Sequence, residues 1–388
     1  MSFLTSRSAV LANQDCPRYR YLGYHFGGLG IAKRKLAVPL ATGIYTHEFL
    51  GNLLFGKSED ESAGLAVDAF RKGLVDRELD LEAGDFQAWS ALEQISLVEG
   101  LGRCYARIGL PRLAGYKVLE VEREDSNELC SGITWQSRND ALLEDPDGEL
   151  VVQSFKTKGT DRPEDVQAAY LEAQHDMQGL SEAWAVEQRL GRKVLGIRME
   201  WLLKGKRMFD EALGRYVQYS PLIRAWRTEG VVPEYAWRWA WKDEEGRKKQ
   251  LSWQRWKPFW VWEAMGVKEW LDMLGSGQVQ PELGNPLEQQ VVTMPLIYRT
   301  DEQVARWTRQ VRSEEIDVMC DLDCLALDGD PDTCFPQHTR RCHDKFTFGR
   351  NGCPFIPICH ESPQIAADPV GSGLYVVREP HHPVEEGD

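Results

Sequence analysis

Between Ile133 and Leu203 the hydrophobic pattern switches from strand to helix period and back, and this limits the possible folds more than any other feature of the chain. Ile133–Leu143 and Leu150–Lys156 read as strands around Asp145-Pro-Asp-Gly148, a turn with the residues a hairpin needs. Glu164–Leu190 then repeats at helical spacing, with Met177, Leu180 and Trp184 on one apolar face and Gly191 where a left-handed cap belongs. Val194–Leu203 is again a strand, and Tyr116–Glu124 alternates like one ahead of the hairpin. Strand, hairpin, helix, strand predicts an α/β core with a mixed sheet. Outside this core, Ala41–Phe55, residues 58–114 and residues 300–319 read as helical, and a cysteine-rich region and a tail close the chain.

A chain of 388 residues can bury one large core or two modest ones. Its N-terminus lacks the apolar stretch of a secretory signal, and its apolar runs are shorter than a membrane span, so a cytoplasmic protein without membrane contact is expected. A net charge of −14 disfavours a protein that coats nucleic acid indiscriminately. Charge is unevenly placed, however. Residues 192–228 carry nine Lys/Arg against three Asp/Glu, which fits either a basic channel on an acidic body or a solvated helix face. Trp237, Trp239 and Trp241 alternate with Arg238 and Lys242. This pattern suits stacking on unpaired bases and, equally, a half-buried core strand.

Two groups of residues carry possible chemistry. Asp140 and Lys156 end adjacent strands of the predicted hairpin, so one sheet edge could hold both. A carboxylate that binds a divalent ion and a lysine that orients water are what metal-assisted phosphodiester hydrolysis requires. The second group is the cysteines, nine in all, of which six crowd between Cys320 and Cys359. An odd number without a secretory signal speaks against a disulfide framework, and the crowding calls for a metal or a cluster. Cys320-x3-Cys324 with Cys334 and Cys342 has plausible zinc spacing.

Five short motifs occur in a familiar order. They are Ser6 through Cys16-Pro-Arg-Tyr-Arg-Tyr21, Gly43-Ile-Tyr-Thr-His47, Asp140 through Lys156-Thr157, Gln178, and Cys342 followed by Cys353-Pro-Phe and Cys359. In this order the chain resembles the RecB-like, Cas4-like and AddB-type iron–sulfur branch of the PD-(D/E)XK nucleases, from about residue 5 to 360. The resemblance implies a restriction-endonuclease-like mixed sheet flanked by helices, with 58–114 as a helical insertion, 320–360 as the cysteine cluster region and 361–388 as a tail. It implies a DNA exonuclease or end-processing nuclease of replication, recombination or repair, with a phage-encoded enzyme among the readings, acting on single strands or duplex ends. His47 and Asp140, with the Phe155 backbone carbonyl, would hold Mg²⁺ or Mn²⁺. Lys156 would be the catalytic lysine, and Gln178 would position the lysine or the DNA. Cys16, Cys342, Cys353 and Cys359 would bind a [4Fe-4S] cluster that staples the two ends of the chain.

The chain departs from that pattern at two positions. Ser154 stands where the family has an acid, two residues before the lysine, and Glu182 stands where it has a tyrosine, four after the glutamine. A serine hydroxyl is a poor substitute for an anionic ligand. A replacement acid could come from Glu120 or Glu122 on the preceding strand, or from Asp176 or Glu182 on the following helix. Two further readings remain beside the nuclease: a catalytically degenerate DNA-binding protein of the same fold, and a zinc-stapled scaffold.

Overall fold

The computed structural model describes residues 3–34, 38–83, 85–160, 162–210, 215–220, 222, 224–228, 240–242, 248–250, 256–260, 266–276, 286–327, 329–343 and 352–378. Its strands are β1 (Phe3–Ser6), β2 (Ile31–Lys33), β3 (Lys117–Cys130), β4 (Ile133–Glu144), β5 (Leu150–Lys158), β6 (Val194–Leu203), β7 (Lys206–Asp210), β8 (Arg215–Tyr219), β9 (Arg224–Thr228), β10 (Ala240–Lys242), β11 (Lys248–Gln250), β12 (Trp256–Trp260), β13 (Val291–Thr293) and β14 (Tyr375–Val377). Helices α1 (Arg7–Asp15), α2 (Pro17–Tyr24), α3 (Val38–Leu54), α4 (Glu59–Val75) and α5 (Phe86–Ile108) precede the hairpin. Helices α6 (Asp165–Ala173) and α7 (Met177–Leu190) follow it, and then α8 (Val267–Gly275), α9 (Pro286–Gln290), α10 (Asp301–Ala326), α11 (Pro331–Cys334) and α12 (Pro363–Ala367).

The centre is the expected α/β arrangement, a mixed six-stranded sheet flanked by helices. Its order is β1-β4-β5-β6-β13, with β3 on the other edge of β4. The β3–β4 and β4–β5 pairs are antiparallel, and β5–β6 is parallel, joined through α6 and α7. Strand alternation divides the core in two. Val151 and Phe155 of β5 pack with α3, α4 and α5, whereas Leu150 and Val152 pack with Ala169 of α6 and Ala183 and Val186 of α7. The 58–114 stretch is therefore built into one of the two main cores.

One edge of β4 is shared by two strands. β1 pairs with it over Ile133–Gln136 and β5 over Ala141–Glu144, so among the described residues its strand pairing there is interrupted at 137–140. Beyond Gln153, β5 leaves β4 but stays paired with β6 as far as Lys158. The fork between β4 and β5 thus opens at Asp140 and Ser154.

The structure departs from the sequence reading in several places. The single helix expected over 164–190 is two helices, broken at Gln174-His175-Asp176. Long-range contacts hold the break. The Arg299 guanidinium donates to the carbonyls of Ala173 and Gln174, and Asp176 caps α7 by accepting the Gln178 N–H at 3.1 Å while pairing with Arg7 at 2.7 Å. β3 runs to Cys130, and α10 runs to Ala326, so Cys320 and Cys324 lie on a helix. The expected tail includes α12 and β14, and β14 pairs with β2 near the N-terminus. The turn Asp145–Gly148 and the left-handed Gly191 cap (φ 62°) form as read. Among the described residues no helix is long and apolar enough to cross a membrane.

Candidate metal and active site

Asp140 stands where the fork opens. As β5 peels away, the Phe155 N–H loses any strand partner on that side, and the Asp140 carboxylate accepts it at 2.6 Å. The other Asp140 oxygen meets His47 Nδ1 at 3.0 Å. Phe155 therefore engages Asp140 through its N–H, which leaves the role expected of its carbonyl untouched.

α3 brings His47 to this point by lying close on the sheet. Gly43, His47 and Gly51 are four residues apart and share one helix face. A Cβ on Gly43 would stand 3.3 Å from the Thr157 hydroxyl, and one on Gly51 would stand 3.3 Å from Cγ of Glu122. The two glycines let the helix settle until the imidazole between them reaches Asp140.

Glu122 completes the group. Among the described residues, His47, Glu122 and Asp140 are the one set of three metal-binding side chains whose ligand atoms all lie within 4.8 Å of one another. Regular alternation would turn Glu120 and Glu122 to the same face. Instead, Glu120 pairs with Arg189 of α7, and Glu122 lies against Gly51 of α3. Asp125 also reaches Arg189, an odd number of residues from Glu120. The alternation breaks at Glu122, whose φ of 49° is left-handed and costly for a residue with a side chain.

Glu122 and Asp140 share the site with His47, Lys156 and Arg138, the last paired with Glu122 at 3.1 Å. Burial pushes the Glu122 carboxyl up to about 7, and the neighbouring Asp140 charge adds to this. Burial works against an ionised Asp140 too, but His47, Lys156 and the Phe155 N–H prevail and hold it at about 2. For His47 the burial effect is downward, and the Asp140 carboxylate reverses it to a net rise.

On the α7 side, Gln178 and Glu182 meet. The Gln178 amide donates to Glu182 Oε1 at 2.6 Å. Glu182 is 5% exposed, and burial pushes its carboxyl up to about 7, with Lys156 opposing the rise and Asp140 adding to it. Asp176, the other acid considered on this helix, is occupied by Arg7 and the cap. The structure thus brings together His47, Asp140 and Glu122, with Lys156 near enough for its charge to act on Asp140 and Glu182 and Gln178 bonded to Glu182.

The basic stretch is not one face. Arg198 lies inside the core, donating to Gln153 at 2.7 Å and Glu200 at 3.0 Å, and Arg192 donates to the Gly148 carbonyl at the hairpin turn. The side chains of Trp237, Trp239 and Trp241 lie outside the described residues, with only the Ala240–Lys242 strand backbone among them.

The cysteines form two neighbourhoods. Cys342, Cys353 and Cys359 each feel the charge of Cys16, and Cys353 and Cys359 also feel Cys342. Burial pushes the Cys353 thiol up to about 12 and Cys359 up to about 11. Cys324 and Cys334 contact each other instead, which separates Cys342 from the zinc set considered on spacing. Comparison with protein-family models and with curated proteins found no match to this chain.

Proposed function

We propose that this protein is a metal-dependent nuclease of the restriction-endonuclease-like fold, hydrolysing phosphodiester bonds in DNA. One observation carries the reading: His47, Asp140 and Glu122 converge within 4.8 Å where the sheet forks, and Lys156 acts electrostatically on the same Asp140. One imidazole and two carboxylates are a donor set that suits Mg²⁺ or Mn²⁺. Such an ion, when bound, supplies Lewis-acid stabilisation of charge on the phosphate and acidifies water. Asp140 is fixed for this by two contacts, to His47 and to the Phe155 N–H. Lys156 places a cation beside the reacting phosphate and orients the attacking water.

Cys16, Cys342, Cys353 and Cys359 are proposed to hold a [4Fe-4S] cluster. Thiolates are its natural ligands. Cys16 acts on Cys342, Cys353 and Cys359 alike, and the Cys353 N–H donates to the Cys342 carbonyl at 2.7 Å, which supports one shared site for the four. Protein purified without oxygen is expected to be brown with about four irons, and stoichiometric zinc in a colourless protein would contradict the assignment.

The second reading, a DNA-binding protein without chemistry, is favoured by Ser154, which is buried with its hydroxyl unpartnered where an acid is expected. Incubation of the purified protein with end-labelled DNA and Mn²⁺ decides between the two. Cleavage lost in Asp140→Asn and Lys156→Ala supports the nuclease; salt-sensitive binding without cleavage supports the second reading.

A further inference from the structure

On the nuclease reading, we infer that Glu182 supplies the metal-site carboxylate missing at position 154, reaching the ion from α7 instead of from β5. Three observations outside the His47–Asp140–Glu122 group lead there.

First, the strand face is known. Val152 packs in the core beneath α6 and α7, so alternation turns Ser154 and Lys156 to that same side, and Phe155 to the side of α3 and α5. An acid at 154 would have faced α7, and Ser154 leaves a buried hydroxyl without a partner there.

Second, the helix face is known. Ala183 and Val186 of α7 join the Val152 core, and Glu182 lies one turn before Val186 on the inward side, buried with them. α7 lies in the connection from the end of β5 to the start of the parallel β6, on the face that Val152 shares with Ala183 and Val186. Lys156 and Asp140 are the charges that act on Glu182 most strongly.

Third, Glu182 is incompletely satisfied. Gln178 holds Oε1 at 2.6 Å, whereas Oε2 is buried with no hydrogen-bond partner. Leaving one carboxylate oxygen bare in the interior is costly unless a cation completes it. Glu182 stands outside the 4.8 Å group of His47, Glu122 and Asp140, so its free oxygen turns in when the ion binds, and Gln178, which holds the other oxygen, acts as a positioning residue. The helix break at Gln174–Asp176 sets this phase.

The test is Mn²⁺ binding by calorimetry on the full chain, with DNA cleavage measured on the same samples. Glu182→Gln keeps the shape of the side chain, and is expected to weaken Mn²⁺ binding about 10- to 100-fold without lowering the melting temperature. Ser154→Asp in that background is expected to recover most of the loss, and Ser154→Asp alone to gain far less, because the two positions fill one role. Wild-type affinity in Glu182→Gln, with Asp140→Asn dead, overturns the assignment of Glu182 and leaves the nuclease reading standing. Equal gains from Ser154→Asp in both backgrounds also overturn it, and this comparison survives if Glu182→Gln proves partly unfolded. Loss of Mn²⁺ in Glu182→Gln from a wild type that binds the ion but leaves DNA intact upholds Glu182 and overturns the nuclease reading. A wild type that binds no Mn²⁺ overturns both.

Discussion

Glu122 and His25 are the residues at which local cost is most apparent. Glu122 holds a left-handed backbone beside another carboxylate, an arrangement that costs about 1–3 kcal/mol in backbone strain alone. Glu122→Asn, which tolerates that conformation and removes the charge, should leave thermal stability equal or higher while weakening Mn²⁺ binding. A clear fall in melting temperature would show that the strain reading is wrong. His25 accepts a hydrogen bond from the Arg20 guanidinium at 2.9 Å. Burial, with help from the Arg20 charge, pushes it down to about 3. The unfolded chain protonates this histidine near pH 6.5 while the folded chain does not. Its contribution is therefore complete above that pH and is lost as pH falls toward 3, at about 1.4 kcal/mol per pH unit. His25→Gln should make the acid side of the stability curve shallower by about one proton between pH 6 and 4; an unchanged slope in denaturant titrations would contradict this. Asp140, Lys156 and His47 were legible at this scale because motif order marks them. Glu122 was one of two candidates on its strand, and no sequence signal separates it from Glu120, since the choice is made by a single backbone angle.

At the scale of elements, α3 matters most. Its Gly43 and Gly51 give up helix propensity so that His47 can reach Asp140. Gly51→Ala should gain about 0.5–1 kcal/mol in propensity yet displace Glu122 and weaken Mn²⁺ binding. Gly64→Ala on α4, where an added Cβ meets nothing within 4 Å, should gain the propensity alone. If both variants behave alike in calorimetry and thermal melting, close approach of α3 is not what builds the site. Strands Val194–Leu203 and Leu150–Lys156, the latter running on to Lys158, were readable from apolar runs and a turn, because those signals are local. The break between α6 and α7 was not, because Arg7 and Arg299, distant in sequence, hold it. Neither was the inward aim of Glu182, which follows from that break.

The two ends of the molecule are tied together independently of any cluster. Arg20 of α2 and Glu315 of α10 form a fully buried ion pair at 2.8 Å, and β14 pairs with β2. Glu315→Ala would strand a buried guanidinium and should cost about 3–5 kcal/mol; a loss below 1 kcal/mol in denaturant unfolding would show that the N-terminal segment is held elsewhere. The cysteine pattern raised the expectation of a tie between the two ends, whereas the ion pair that makes one was hidden among ordinary helix residues. The proposed chemistry requires the fork in the sheet to hold a divalent ion. Crystals soaked in Mn²⁺ and measured at a wavelength where manganese scatters anomalously test this most directly. One strong peak in contact with His47, Asp140 and Glu122 is expected. A protein whose crystals carry no peak at this position, at Mn²⁺ concentrations that support DNA cleavage, would contradict it.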